Sequence, residues 1–217
     1  MAAMKTIALA SLLLSLAASA STTFTETWNV STVIPDNDDA GFTDYRILSV
    51  PEITEIESVT VGLTFTGGWN GDLYAYLVHG SGFAVLLNRP GRDTGTPDGA
   101  ASSGMTVTLD DLAAADIHTA IPMSGGPATG SFQPDGRTAD PLDVVAADPR
   151  TALLASFDGL DANGGWTLFV ADQSPGNLAT LDSWSLTITG IPEPSSLALL
   201  AALAAPLALR RRRPAAR

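Results

Sequence analysis

Ser58-Val59-Thr60-Val61-Gly62-Leu63-Thr64-Phe65-Thr66 alternates along its length, with Val59, Val61, Leu63 and Phe65 on one side and Ser58, Thr60, Thr64 and Thr66 on the other. Successive side chains of an extended chain point to opposite faces, so this stretch predicts a strand with one buried and one wet face. Leu181 to Thr189 repeats the pattern, setting Trp184, Leu186 and Ile188 against Ser183, Ser185, Thr187 and Thr189. Leu73 to Val78 places Leu73, Ala75 and Leu77 opposite Tyr74, Tyr76 and Val78, and Gly80 to Gly82 turns the chain into Phe83 to Leu87. Those two segments predict a hairpin with a glycine-rich connection.

Working outward, Thr22 to Val33 is rich in Thr, Val, Phe and Trp and predicts a first strand, with Phe24, Trp28 and Val30 to be buried, stopping at Pro35. Ile34 to Phe42 reads as an acidic, turn-rich loop, followed by a short strand from Tyr45 to Val50 that Pro51 ends. Gly67 to Asp72 reads as a turn. Asn88 to Arg150 is the least regular part, loaded with Gly, Pro, Asp and Ser. Within it Met105 to Leu109 predicts a strand and Asp110 to Ile117 one or two helical turns. A loop region of this length is either a functional surface or poorly ordered. Regular segments resume at Ala152 to Phe157 and Gly164 to Asp172. Short alternating strands with almost no helical periodicity give an all-β fold, a sandwich of two antiparallel sheets.

The two ends differ from this core. Lys5, the apolar run Thr6 to Ala17 and Ala18-Ser19-Ala20 form the three parts of an export signal, with cleavage predicted after Ala20. At the other end Pro192-Glu193-Pro194 is followed by an apolar run, Leu197 to Leu209, and then by Arg210, Arg211, Arg212 and Arg213. As a helix the apolar run spans about 20 Å, short against a hydrocarbon layer of about 30 Å. Its arginines would stay on the cytoplasmic side of a membrane. The division is therefore a signal peptide at 1–20, one domain at 21–190 and a terminal segment at 191–217. The whole chain carries a formal charge of −12, but between Ser21 and Gly190 five arginines face 22 acids, a balance near −17. So acidic a surface repels nucleic acid phosphates, and with no cysteine there are neither disulfides nor thiolate metal sites.

The order Pro192-Glu193-Pro194, apolar segment, arginine cluster resembles the PEP-CTERM sorting signal of Gram-negative bacteria. The resemblance implies an apolar sorting helix, a transient inner-membrane anchor, processing by an exosortase near the motif, and delivery to the cell envelope, the cell surface or the extracellular matrix. A second resemblance rests on four motifs. They are Ile34-Pro35-Asp36-Asn37 with Ala40-Gly41, Trp69-x-Gly71-Asp72-Leu73, Gly165-Trp166-x-Leu168-x-Val170-x-Asp172, and Leu181-x-x-Trp184-x-Leu186-x-Ile188. Together they resemble the P domain of proprotein convertases, also called homoB, which implies a β-sandwich of jelly-roll type. The stretch from Asn88 to Arg150 departs from that family, and no protease domain accompanies these motifs.

Two kinds of chemistry are open to these residues. Asp36, Asp38, Asp39 and Asp44 crowd one loop and supply the oxygens a hard cation such as calcium takes, though the loop lacks the EF-hand pattern. The P-domain resemblance adds Asp72 and Asp172 to that calcium set. The same aspartates serve equally as turn caps bonding local backbone N–H groups. Trp69, Tyr74 and Tyr76 gather about one hairpin, where they either stack on sugar rings or pack the fold. Catalysis finds little footing. His79 and His118 are the two histidines, His79 and Ser81 have no third group to orient them, and there is no nucleophile elbow or zinc-type spacing. The expected function is that of an exported, non-enzymatic envelope or matrix protein that scaffolds or binds exopolysaccharide or a surface protein. The alternatives are an accessory of a secreted subtilisin-like protease and a secreted hydrolase.

Overall fold

The computed structural model describes residues 20–191. Ala18 of the export signal, Pro192, Glu193, Pro194, the apolar run and Arg210, Arg211, Arg212 and Arg213 lie outside the described residues. Among the described residues no helix is long and apolar enough to cross a membrane.

Ten strands make two sheets. They are β1 (Thr22–Val33), β2 (Asp38–Leu48), β3 (Glu55–Trp69), β4 (Leu73–His79), β5 (Gly82–Asn88), β6 (Ala101–Leu109), β7 (Ser124–Gly125), β8 (Ala128–Phe132), β9 (Gly164–Asp172) and β10 (Ala179–Ile191). The six-stranded sheet runs β1-β10-β3-β6, with β7 and β8 both along the far side of β6, and the four-stranded sheet runs β2-β9-β4-β5. The chain changes sheet at most connections, because each alternating strand must bury its apolar side against the other layer. The hairpin of β4 and β5 forms as the sequence predicts, with Tyr74 opposite Asn88 and His79 opposite Gly82.

The alternation at Ser58 to Thr66 is realised. Val59, Val61, Leu63 and Phe65 are at most 3% exposed and join one apolar cluster with Leu73, Leu77, Trp166, Leu168 and Trp184. Phe24, Trp28 and Val30 of the edge strand β1 are half-buried against it. One side chain joins the sheets: the Trp184 indole lies 4.3 Å from that of Trp28, and its Nε1 donates across to Asp44 of β2 at 2.7 Å. Asp44 also receives Arg46 at 2.9 Å, and Arg46 sits 5.6 Å over the Trp28 ring.

Five expectations are corrected. The acidic loop is shorter than predicted, because β2 already begins at Asp38 and pairs with β9 through a bulge. Gly41 carries that bulge at φ +53°, where a Cβ would run into the Val170 carbonyl. Gly67 and Gly68 do not end β3 in a turn. They form a second bulge, at φ +68° and +63°, that lets the strand continue to Trp69. Leu154 to Phe157 is a 3₁₀ turn, not a strand, and the helical turn falls at Ile117–Ala120 (α1), capped by the Asp116 carboxylate. The pairing is also not purely antiparallel, since β8 runs parallel to β6 from Met105–Ala128 to Leu109–Phe132.

Outside β6, α1, β7 and β8, the stretch from Asn88 to Arg150 is held by side chains that bind backbone carbonyls and carboxylates. Asn88 Nδ2 donates to the carbonyls of Arg137 at 3.1 Å and Ala139 at 3.0 Å. Arg137 reaches Asp116 at 2.8 Å and Asp135 at 3.2 Å, while Arg150 donates to the Asp135 carbonyl at 2.9 Å. Periodicity carries no trace of such a network, which is why these residues read as irregular.

Replacing Trp184 by Ala is expected to cost about 3 to 5 kcal/mol in urea unfolding, from the cavity alone. Trp184→Phe, which keeps most of the packing but leaves Asp44 with Arg46 alone, should fall between that variant and the native protein.

Candidate functional site

Three groups of chemistry-bearing side chains stand out. The first lies where β9 ends. Asp172 pairs in register with both Asp38 of β2 and Leu73 of β4, which brings it beside Asp72 in the 3₁₀ turn Asn70–Asp72. Both carboxylates are buried, at 0% and 1% exposure. Asp172 Oδ1 accepts from Ser174 N at 3.1 Å, and the Asp36 carboxylate accepts from Gly176 N at 2.8 Å in the next turn. Arg89, also buried, stands 3.8 Å from Asp72 and donates to the Gly71 carbonyl and the Ser174 hydroxyl, each at 2.9 Å. One oxygen of each aspartate, Oδ2, has no partner. Burial and the neighbouring Asp172 push Asp72 up to about 6. Burial, reinforced by the charge of Asp36, pushes Asp172 up to about 6 as well. Near neutral pH two carboxylates thus share one guanidinium, an excess of negative charge in a dry place.

Of the six aspartates considered for calcium, the structure therefore brings Asp72 beside Asp172, while Asp36 caps the next turn and acts on Asp172 through its charge. Asp44 is engaged by Trp184 and Arg46 between the sheets. Asp38 bonds Ala40 N at 2.9 Å as a turn cap, and Asp39 sits at the rim of a different cavity. Among the described residues no group of three His, Asp or Glu side chains is arranged to hold a metal ion.

The second group is on the outer face of the four-stranded sheet. Alternation turns Tyr74, Tyr76 and Phe169 outward while their neighbours enter the core. Tyr76 stacks on Phe169 with ring centroids 4.7 Å apart and planes 16° apart, and Tyr74 meets Tyr76 edge-on at 5.9 Å. These rings line an open cleft of about 440 Å³ with Asp39, Asp140 and Gln173 at its edge. Burial, Tyr76 and the charges of Asp135 and Asp140 hold the Tyr74 hydroxyl above its ordinary pKa, so it stays a neutral donor. Trp69 is not part of this cleft. It ends β3 in the other sheet, opposite Ser103, and is 39% exposed. Sequence reasoning missed Phe169, although its place between buried Leu168 and Val170 marks it as outward-facing.

The third group holds the histidines. His79 is 5% exposed and stacks flat on Trp166 at 4.0 Å. Its ring nitrogens lie 2.9 Å from the Gly165 carbonyl and 2.6 Å from that of Asp161, so neither serves Ser81. The His118 backbone N–H donates to the Asp116 carboxylate, but its ring goes elsewhere, to Asp135 at 2.7 Å and the Arg92 carbonyl at 2.9 Å. Burial works to lower the His118 pKa, but the hydrogen bond and charge of Asp135 outweigh it against the opposing Arg137, and the pKa ends above its ordinary value.

Residues 144–188 match the family model for the proprotein convertase P-domain, a segment that includes β9 and most of β10. Among solved structures the chain is similar to the Aeromonas sobria serine protease in complex with the chaperone ORF2, at 16% identity and a TM-score of 0.45. It is also similar to a second structure of the serine protease of Aeromonas sobria, at 15% identity and a TM-score of 0.43. Each match covers 79% of this chain and only 27% of the solved one. No curated protein matches.

Because the folded His118 pKa is raised, its stabilising contribution is complete below the unfolded value of about 6.5 and is lost as pH rises through the raised value. Melting temperature should therefore fall as pH rises above the unfolded value of about 6.5, and His118→Gln should flatten that part of the profile.

Proposed function

We propose that this chain is an exported, non-catalytic binding protein of the cell envelope or extracellular matrix. Its two sheets form a β-sandwich of the jelly-roll type that the P-domain resemblance implies, and its ligand is exopolysaccharide. The observation that carries the reading is the cleft over Tyr74, Tyr76 and Phe169. Partly exposed aromatic rings beside Asp39, Asp140 and Gln173 supply a stacking floor for a sugar ring and polar atoms for its hydroxyls. The export signal and the PEP-CTERM-like tail, processed by an exosortase, would deliver it there.

The test is co-sedimentation of the purified protein with exopolysaccharide from the producing bacterium, with the same tubes assayed for reducing sugar. Binding without sugar release is expected, and Tyr76→Ala should weaken it about tenfold, or about 1.4 kcal/mol. Released sugar would replace this reading with a hydrolase.

A second reading, an accessory to a secreted subtilisin-like protease, is favoured by the P-domain match at residues 144–188. Co-purification of such a protease with the native protein, without retention on exopolysaccharide, would select it.

Calcium belongs to the same proposal. A hard cation bound at the unpartnered oxygens of Asp72 and Asp172 would offset their excess charge. Calcium at about 1 mM, the range of extracellular modules, should raise the melting temperature by several degrees, and Asp172→Asn should abolish the rise.

A further inference from the structure

The outer face of the six-stranded sheet has a composition unlike the rest of the surface. Strand register lines up two rows across five strands. One row is Thr27, Ser185, Gly62, Thr108 and Ser131, and the other is Asn29, Ser183, Thr64, Thr106 and Thr129. Neither row contains a charge, in a domain where 22 acids face five arginines. A further pair, Thr25 and Thr187, flanks them and bonds side chain to side chain at 2.9 Å. The central rows border a shallow groove of about 210 Å³. Its floor is open because Gly62 has no side chain, and a Cβ there would run into the Ser185 hydroxyl.

We propose that this groove is a second binding site, for a single uncharged glycan chain lying across the strands. Each Ser and Thr hydroxyl both donates and accepts, which matches a ligand made of hydroxyls. With strands about 4.8 Å apart, five of them give a track about 19 Å long. The occupant is uncharged because a polyanion is repelled by the surrounding carboxylates, whereas the rows themselves add no repulsion. A protein partner fits the groove poorly, since it offers none of the exposed aromatic or Arg anchors that dominate protein interfaces. The right-handed twist of the sheet turns successive strands, so a flexible single chain follows the track where a rigid crystalline face would touch only part of it. This site does not depend on the aromatic cleft, which lies on the other sheet.

The test is affinity electrophoresis of the native protein through gels containing dextran, hydroxyethylcellulose or polygalacturonate. Retardation is expected in at least one neutral polymer and not in polygalacturonate. The double variant Thr106→Val with Thr108→Val keeps side-chain shape and strand preference but removes two hydroxyls. It should weaken retardation at least tenfold, as should Ser185→Lys, with melting temperatures within a few degrees of native to show that the fold is kept. No retardation in either neutral polymer, unchanged retardation in the valine variant, or loss in Tyr76→Ala alone would each overturn the proposal. The last result would assign glycan binding to the cleft and leave the broader functional reading standing.

Discussion

A single indole holds the two layers in register. Trp184 sits on β10, packs against Trp28 on β1, and sends its N–H to Asp44 on β2 in the opposite sheet. Asp44 is in turn fixed by Arg46, which covers the Trp28 ring. A buried indole N–H needs an acceptor and a mostly buried carboxylate needs donors, so each group satisfies the other. The arrangement sets how β2 lies over β10, and β9 then follows from its pairing with β2. The end of β9, where Asp172 meets Asp72 and Arg89, is a consequence of that placement.

Once the inner faces are committed to the core, the outer faces carry whatever the alternate positions supply. On the four-stranded sheet they supply aromatic rings, crowded enough to stack on one another and leave a cleft. On the six-stranded sheet they supply hydroxyls, registered in rows by the ladders beneath them. Two surfaces of different chemistry thus lie on opposite sides of one core. Both histidine rings, by contrast, are buried and committed to backbone carbonyls or to Asp135.

Strand identity was legible wherever one side of the strand is buried and the other wet. Ser58 to Thr66, Leu73 to Val78 and Leu181 to Thr189 all fall in the strands their alternation predicts, and Tyr74 and Tyr76 lie opposite Leu73, Ala75 and Leu77. The misses share a cause. Gly67-Gly68 looked like a turn because a glycine pair reads the same whether it reverses the chain or bulges a continuing strand; only pairing with β10 distinguishes the two. Asn88 to Arg150 looked irregular because its order comes from Asn88, Arg137 and Arg150 binding distant carbonyls, which leaves no period in the sequence. The six candidate aspartates were named from crowding and resemblance, yet crowding along the chain does not place them together in space.

The sequence by itself determined the all-β class, the inward face of the central strands, the hairpin of β4 and β5, the acidity of the core and the lack of disulfides, because each depends on local spacing or on composition. Only the tertiary structure decided which aspartates meet, which aromatic rings share a cleft, that β8 runs parallel to β6, and that two rows of hydroxyls line up across five strands. Those are relations between residues far apart in the chain, and long-range strand pairing, not local pattern, is the interaction that sets them.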